Sequence, residues 1–263
     1  MKIGILITGR LKSTRLPLKL LLPLKGKKVI DHVIERAKQV NYMDQIILCT
    51  SYHPQDYPLI EAALKQNIYY FTGHPDDVLR RLFDAATFFQ LDYILSITAD
   101  NPLFSIEYAN VIANDARLYQ PDYMYIEGLP IGIGLYGISY DALKTVIKIK
   151  NHIDTEIWGH WFNQPDYFHV RTIQGRKGDY RNTRLTLDTY EDYLFLQRIT
   201  AQMPREELYN YQSLLKVIDQ IPHGEIHNNN IIQKQLPSDI KNEINLLYKK
   251  MVKDKKVNKN ESV

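Results

Sequence analysis

The first hundred residues alternate short β-branched runs with longer stretches whose apolar positions recur at helical spacing. Residues 3–8 read as a buried strand, followed by a polar loop and a helix over residues 29–40. In that helix Val29, Ile30, Val33, Ile34 and Ala37 share one face. The same pattern predicts strands at 45–50, 68–71 and 93–98, with helices at 57–65 and 76–89 between them. Strands separated by helices imply right-handed crossovers and an α/β fold: a mostly parallel central sheet with helices on both faces.

The rhythm changes after Asp100. The pattern predicts a helix at 106–118, a strand at 123–127 and a glycine-rich turn over 128–134. Helices at 140–147 and 154–162, and strands at 167–173 and 183–187, come next. Helices at 191–202, 211–221 and 237–253 complete the chain. No linker breaks the sequence, so residues 1–248 read as a single domain. Its nucleotide-binding half is 1–104, its smaller acceptor or dimerisation lobe 105–182, and its closing part 183–248.

Composition adds little until charge is placed along the chain. The net charge of +3 over 263 residues is concentrated in residues 249–263, which hold six Lys against Asp254 and Glu261. That stretch reads as a disordered basic tail. The body is close to neutral, which argues against a nucleic-acid-binding face. No run approaches the ~18 apolar residues of a membrane span. The lone Cys49 excludes an intrachain disulfide and lies in an apolar strand, as core rather than nucleophile. Together these point to a cytoplasmic protein.

The most informative segment is residues 9–19. Eight Lys or Arg precede the first acid, Asp31, and four of them (Arg10, Lys12, Arg15 and Lys19) fall in this loop. It leaves the C-terminal end of the first strand, where open α/β sheets place their ligands. Gly9 permits close backbone approach, Ser13 and Thr14 add hydroxyl donors, and arginines grip phosphate through paired N–H groups. Either a compact anion such as a triphosphate or plain solvation accounts for the loop. It is neither a P-loop nor a dinucleotide fingerprint. Asp100, at the end of a strand and before Asn101-Pro102, is placed to hold a metal ion or to form a turn. Asp188 reads by itself as a helix cap.

The run Gly-Arg-x-x-Ser-Thr-Arg-Leu-Pro-x-Lys over residues 9–19, continued by Leu22-Pro23-Leu24-Lys25-Gly26, resembles the opening of the sugar-acid cytidylyltransferases. These include the CMP-Kdo and CMP-sialic acid synthetases, and the nearest likeness is to their SpsF-like spore-coat-polysaccharide branch. Thr-Ala-Asp-Asn-Pro-Leu at 98–103 and Leu-x-Leu-Asp-x-x-Glu-Asp at 185–192 resemble the family's two acidic motifs. The resemblance implies a Rossmann-like, GT-A-like nucleotidyltransferase. It implies transfer of CMP from CTP to a sugar acid or a sugar or polyol phosphate, with Mg²⁺ and a homodimer. It places Arg10, Arg15 and Lys19 on the triphosphate, and Asp100 and Asp188 on the metal. Thr50, Ser51, Asp77, Arg81 and Asn101 fall near the nucleotide, with Thr50 and Ser51 where relatives form the base and ribose pocket. Glu191 and Asp192 suit the helix N-terminus.

Three departures stand out. The family usually carries Ala where Gly9 stands and Gly where Leu18 stands. Residues 130–136, Pro-Ile-Gly-Ile-Gly-Leu-Tyr, lack both acids of the family's Pro-Asp-Gly-x-x-x-Glu. His152 and His160, eight residues apart, read as polar packing on one helix face. The alternatives are a glycosyltransferase, which would normally show Asp-x-Asp where this chain has Asp100-Asn101-Pro102, and a catalytically inactive nucleotide-binding partner.

Overall fold

The computed structural model describes residues 1–222, 225 and 228–260, the last six as backbone only. The first strand, β1 (Ile3–Thr8), has all six residues buried, because helices cover both faces of the sheet at that point. Its side chains alternate: Ile3, Ile5 and Ile7 enter one core cluster and Leu6 the other. A small hairpin, β2 (Pro23–Leu24) and β3 (Lys27–Lys28), precedes helix α1 (Val29–Ala37). The alternation then continues through β4 (Gln45–Ser51), α2 (Tyr57–Lys65), β5 (Tyr69–Gly73), α3 (Val78–Phe88), β6 (Tyr93–Thr98) and α4 (Ile106–Tyr119).

The second half adds β7 (Tyr123–Glu127), β8 (Tyr136–Ser139), α5 (Tyr140–Ile149), α6 (Gly159–Phe162) and β9 (Val170–Gln174). Helices α7 (Tyr190–Gln202), α8 (Tyr211–Gln220) and α9 (Ser238–Asn260) follow. The seven-stranded sheet has the order β5-β4-β1-β6-β8-β7-β9. β8 pairs antiparallel with both its neighbours, and the other pairings are parallel. Helices α1, α2, α4, α7 and α8 contribute to one core cluster. Helices α3, α5, α6 and α9 contribute to the other. The expected mostly parallel sheet with helices on both faces is the observed one. Among the described residues no helix is long and apolar enough to cross a membrane.

Four expectations change. Residues 183–187 alternate as a strand should, with Leu185 and Leu187 in the core, yet form only a single parallel bridge between Arg184 and Ile131. Their neighbours are loops, and the segment spends its amides there: Leu185 N donates to Ile131 O at 2.7 Å and Leu187 N to Asp100 O at 2.8 Å. The helix expected over 154–162 shrinks to the single turn α6, so His152 and His160 share no helix face. Instead His152 meets Glu243 and His160 meets Asn245, tying the loop before α6, and α6 itself, to α9. Strand β8 was hidden behind the glycine-rich pattern. Lastly, α9 runs through residues 249–260, where the sequence suggests a disordered tail. Ile244 and Tyr248 are buried and Met251 is half-buried, and the lysines that follow are good helix formers. Residues 261–263 lie outside the described residues.

Candidate active site

β1 lies between β4 and β6, so the chain departs to opposite sides of it, and the crevice opens at the C-terminal ends of these strands. The 9–19 loop leaves β1 there. Its start is pinned by Asp56, a fully buried carboxylate: Oδ1 accepts the Leu11 amide at 2.7 Å, and Oδ2 accepts the Ser51 hydroxyl. Gly9 is tightly packed. A Cβ there would lie 2.7 Å from the Ala99 Cβ and 2.9 Å from Leu20 Cδ1. Leu18 occupies the left-handed region at φ 54°, ψ 23°, which favours glycine. Its side chain is half exposed, so the departure from the family introduces backbone strain rather than bulk inside the loop. The Leu18 carbonyl accepts the Leu21 amide at 2.8 Å, closing the short turn that aims Lys19 inward.

Lys19 is the hub. Its Nζ donates to Asp100 Oδ2 at 2.6 Å and to Asp188 Oδ1 at 2.9 Å, so one ammonium bridges the two predicted metal ligands. Arg15 reaches the same Asp188 oxygen at 3.1 Å. Burial pulls the Lys19 pKa down, but the two carboxylates outweigh it and leave it raised, so Lys19 stays protonated. Burial raises the Asp188 carboxyl, and Lys19, Arg15 and Arg184 reverse this to hold it below the usual carboxylate range.

The acidic side is built into the core. Asp188 ends the 184–188 segment, and its Oδ2 accepts from the buried Arg184 at 3.0 Å. Arg184 is held by Asp192, fully buried on the first turn of α7, with Nε to Oδ1 at 3.1 Å. Asp192 also accepts the Asp188 amide at 3.0 Å and the Thr189 amide at 3.1 Å, completing a capping box with Thr189. Gly132 braces the other side. At φ +95°, a Cβ there would sit 2.5 Å from the Leu185 carbonyl carbon. The altered 130–136 stretch is therefore a backbone support for the Asp188 segment.

The remaining predicted residues divide in two. Arg10 turns to Asp76 and to the Pro75 carbonyl (2.9 Å), which Arg81 also reaches at 3.3 Å. Arg81 is buried and donates to His74 O as well, so it supports the 74–76 turn from beneath. Asn101 Nδ2 donates to Thr98 Oγ1 at 2.8 Å beside Asp100, and its Oδ1 is buried without a partner. Ser13 Oγ accepts the Leu16 amide at 3.4 Å within the loop, and Thr14 is exposed. Thr50 and Ser51 are buried, Thr50 with its hydroxyl unpartnered and Ser51 engaged by Asp56. Asp77 is committed elsewhere. It caps α3 through the Arg80 amide, accepts Thr155 Oγ1 at 3.0 Å and pairs with Lys150. Cys49 is buried and its thiol is pushed up to about 12 by burial, as a core residue should be.

Asp56, Asp76 and Arg184 were missed in the sequence. Asp56 and Asp76 read as ordinary loop and helix-start acids. The legible signal was Arg184, a charge inside an alternating apolar run, which demands a buried partner.

No group of three or more His, Cys, Asp or Glu gathers at one point among the described residues. Two carboxylates converging on one cation do fit Mg²⁺, which takes one or two protein carboxylates and completes its shell with water and phosphate oxygens.

Comparison with known proteins places the chain. The family model described as "Cytidylyltransferase" matches residues 4–235. The chain is 29% identical over 239 residues to an uncharacterized protein of Methanocaldococcus jannaschii, covering 89% of this chain and 97% of that one. It is 25% identical over 228 residues to the spore coat polysaccharide biosynthesis protein SpsF of Bacillus subtilis, covering 82% and 94%. A solved cytidylyltransferase from Leptospira borgpetersenii superposes with a TM-score of 0.80 at 25% identity, covering 89% of this chain and all of that one.

Proposed function

The chain belongs to the cytidylyltransferase family, and from that premise we propose that it transfers CMP from CTP to a sugar-type acceptor, a sugar acid or a sugar or polyol phosphate, in surface-polysaccharide synthesis. The observation that carries this reading is the Lys19 bridge between Asp100 and Asp188, with Arg15 beside it. It puts the cations of the 9–19 loop against two carboxylates, Asp100 and the clamped Asp188, at the C-terminal ends of the central strands. SpsF's role in spore coat polysaccharide biosynthesis supports the acceptor class.

In this mechanism the acceptor oxygen attacks the α-phosphorus in line, the bond to the β-phosphate breaks, and pyrophosphate leaves. Arg10, Arg15 and Lys19 bind the triphosphate. Lys19, held protonated, moves from the carboxylates to the phosphates and offsets the charge that gathers on the leaving pyrophosphate. Asp100 and Asp188 would hold Mg²⁺, which would neutralise phosphate charge and lower the pKa of a hydroxyl acceptor, whose proton passes to solvent. Arg81 and Asp56 keep the 74–76 turn and the basic loop in place. The expected homodimer and cytoplasmic location belong to the same proposal, and sedimentation velocity checks the first.

The test is pyrophosphate release with CTP, UTP, ATP and GTP against a panel of sugar acids and sugar phosphates. Release that requires both CTP and an acceptor is the expected result. Hydrolysis of a nucleotide-sugar would make the protein a glycosyltransferase. Nucleotide binding without turnover would make it an inactive partner. Either result overturns the proposal.

A further inference from the structure

Asp188 has two carboxylate oxygens, and the structure treats them differently. Oδ1 faces the crevice, where Lys19 and Arg15 reach it. Oδ2 faces inward and is taken by Arg184. Arg184 is only 2% exposed and each of its guanidinium nitrogens has a partner: Nε and Nη2 meet Asp192, Nη2 meets Asp188, and Nη1 meets Gln233 Oε1 at 2.6 Å. Asp192 is fully buried and also accepts the Asp188 and Thr189 amides and Asn228 Nδ2. The Asp188 carboxylate is thus held at its backbone amide and at one side-chain oxygen by the same buried pair.

We propose that Arg184 and Asp192 form a positioning device that locks the rotamer of Asp188 and presents a single oxygen, Oδ1, to the metal-bound nucleotide. This rests on the assignment of Asp188 as a metal ligand. A freely rotating carboxylate could chelate a cation with both oxygens or turn away. Clamping Oδ2 on a guanidinium leaves one-oxygen coordination as the available mode, which suits the strict octahedral geometry of Mg²⁺. The guanidinium fork is matched to this task because two of its nitrogens meet two different carboxylates, and the point charge of a lysine cannot do both. The pair also explains why a buried arginine sits in this segment: a structural filler would be served as well by an apolar side chain.

The experiment is calorimetric titration of Mg²⁺ into CTP-saturated protein, with the Mg²⁺ dependence of turnover measured alongside. Arg184→Lys is expected to weaken Mg²⁺ binding on the order of 10-fold, the range seen when groups orienting a ligand are lost. At saturating Mg²⁺ its KM for CTP stays within about twofold of wild type, since Arg184 itself touches no substrate. A purely structural role would lower thermal stability while leaving the metal dependence unchanged. A folded Arg184→Lys protein with wild-type Mg²⁺ affinity overturns the proposal.

Gln233→Leu is the second arm. It removes only the Nη1 partner supplied by the exposed Gln233 side chain and leaves both carboxylate contacts, so the fold is expected to be retained whatever the lysine variant does. A two- to threefold weakening of Mg²⁺ binding is expected on the same ground, and no change in that variant counts against the device. If the wild-type protein with CTP takes up no Mg²⁺ beyond what CTP alone binds, the metal assignment fails instead, and the two failures are told apart.

Discussion

The two halves of the crevice are built in opposite ways. The basic side is a surface loop: Lys12 and Arg15 are 63% and 45% exposed at the side chain, and Leu18 is half exposed in a strained conformation. The acidic side is core: Asp188, Arg184 and Asp192 are 7%, 2% and 0% exposed and interlocked. The proposed triphosphate site needs both. The carboxylates must be fixed before the ligand arrives, because a misplaced ligand oxygen costs metal affinity. In the proposed reaction the cations must be able to move, since Lys19 would exchange its carboxylate partners for phosphates.

The largest expected effects test that division directly. Asp100→Asn removes a carboxylate that accepts from Lys19 at 2.6 Å, and should lower turnover by about 10²–10³-fold while CTP binding stays within a few-fold. Lys19→Met should lower turnover comparably and weaken CTP binding as well, because in the proposed reaction Lys19 contacts the triphosphate. Single-turnover kinetics and a nucleotide-binding isotherm separate the two. Equal losses of binding in both variants would erase the distinction between a fixed half and a moving half.

Next comes the brace. Gly132→Ala forces a Cβ against the Leu185 backbone at a φ that only glycine takes readily, and should cost about 2–4 kcal/mol. Lys12→Ala, on the other side of the crevice, should stay within about 0.5 kcal/mol. Urea unfolding checks both. Similar values would mean that the acidic side is no better supported than the loop.

How much of this was legible in the sequence follows from the same contrast. The basic loop was readable because charge density is a local property, and Lys19, Arg15, Asp100 and Asp188 do converge. The sheet was readable because its strands are short β-branched apolar runs, as over residues 3–7, separated by stretches of helical spacing. The acidic support was not, because it is assembled from distant partners. Arg184 depends on Asp192 and Gln233, and Asp56 on Leu11 and Ser51. The 183–187 run shows the limit of periodicity: it alternates as a strand does, but it meets loops. Asp77 shows the limit of motif position, since it is drawn into capping α3 and pairing with Lys150.

A smaller effect is acid sensitivity. The folded Asp188 carboxyl lies below its unfolded value of about 3.9, so the stability it contributes is complete above that pH and is lost as pH falls through the lower folded value. Asp188→Asn should therefore show less loss of stability than wild type between pH 5 and about pH 2, measured by urea unfolding at each pH. An unchanged acid profile would mean that other carboxylates govern it.

The smallest effect bears on Leu18. A non-glycine residue in the left-handed region costs about 1–2 kcal/mol, and glycine's greater freedom in the unfolded chain returns about 0.5–1 kcal/mol of that. Leu18→Gly should therefore stabilise the protein by about 0.5 kcal/mol, because the half-exposed side chain gives up little burial. Leu18→Val, β-branched and poorly suited to positive φ, should lose about 1 kcal/mol. Both should leave Mg²⁺ affinity unchanged, since the Asp188 clamp lies across the crevice. The turn that aims Lys19 depends on the Leu18 carbonyl, which either residue supplies. If the glycine variant is instead the less stable, the contacts of the leucine side chain outweigh its backbone strain, and the loop is held more firmly than its exposure indicates.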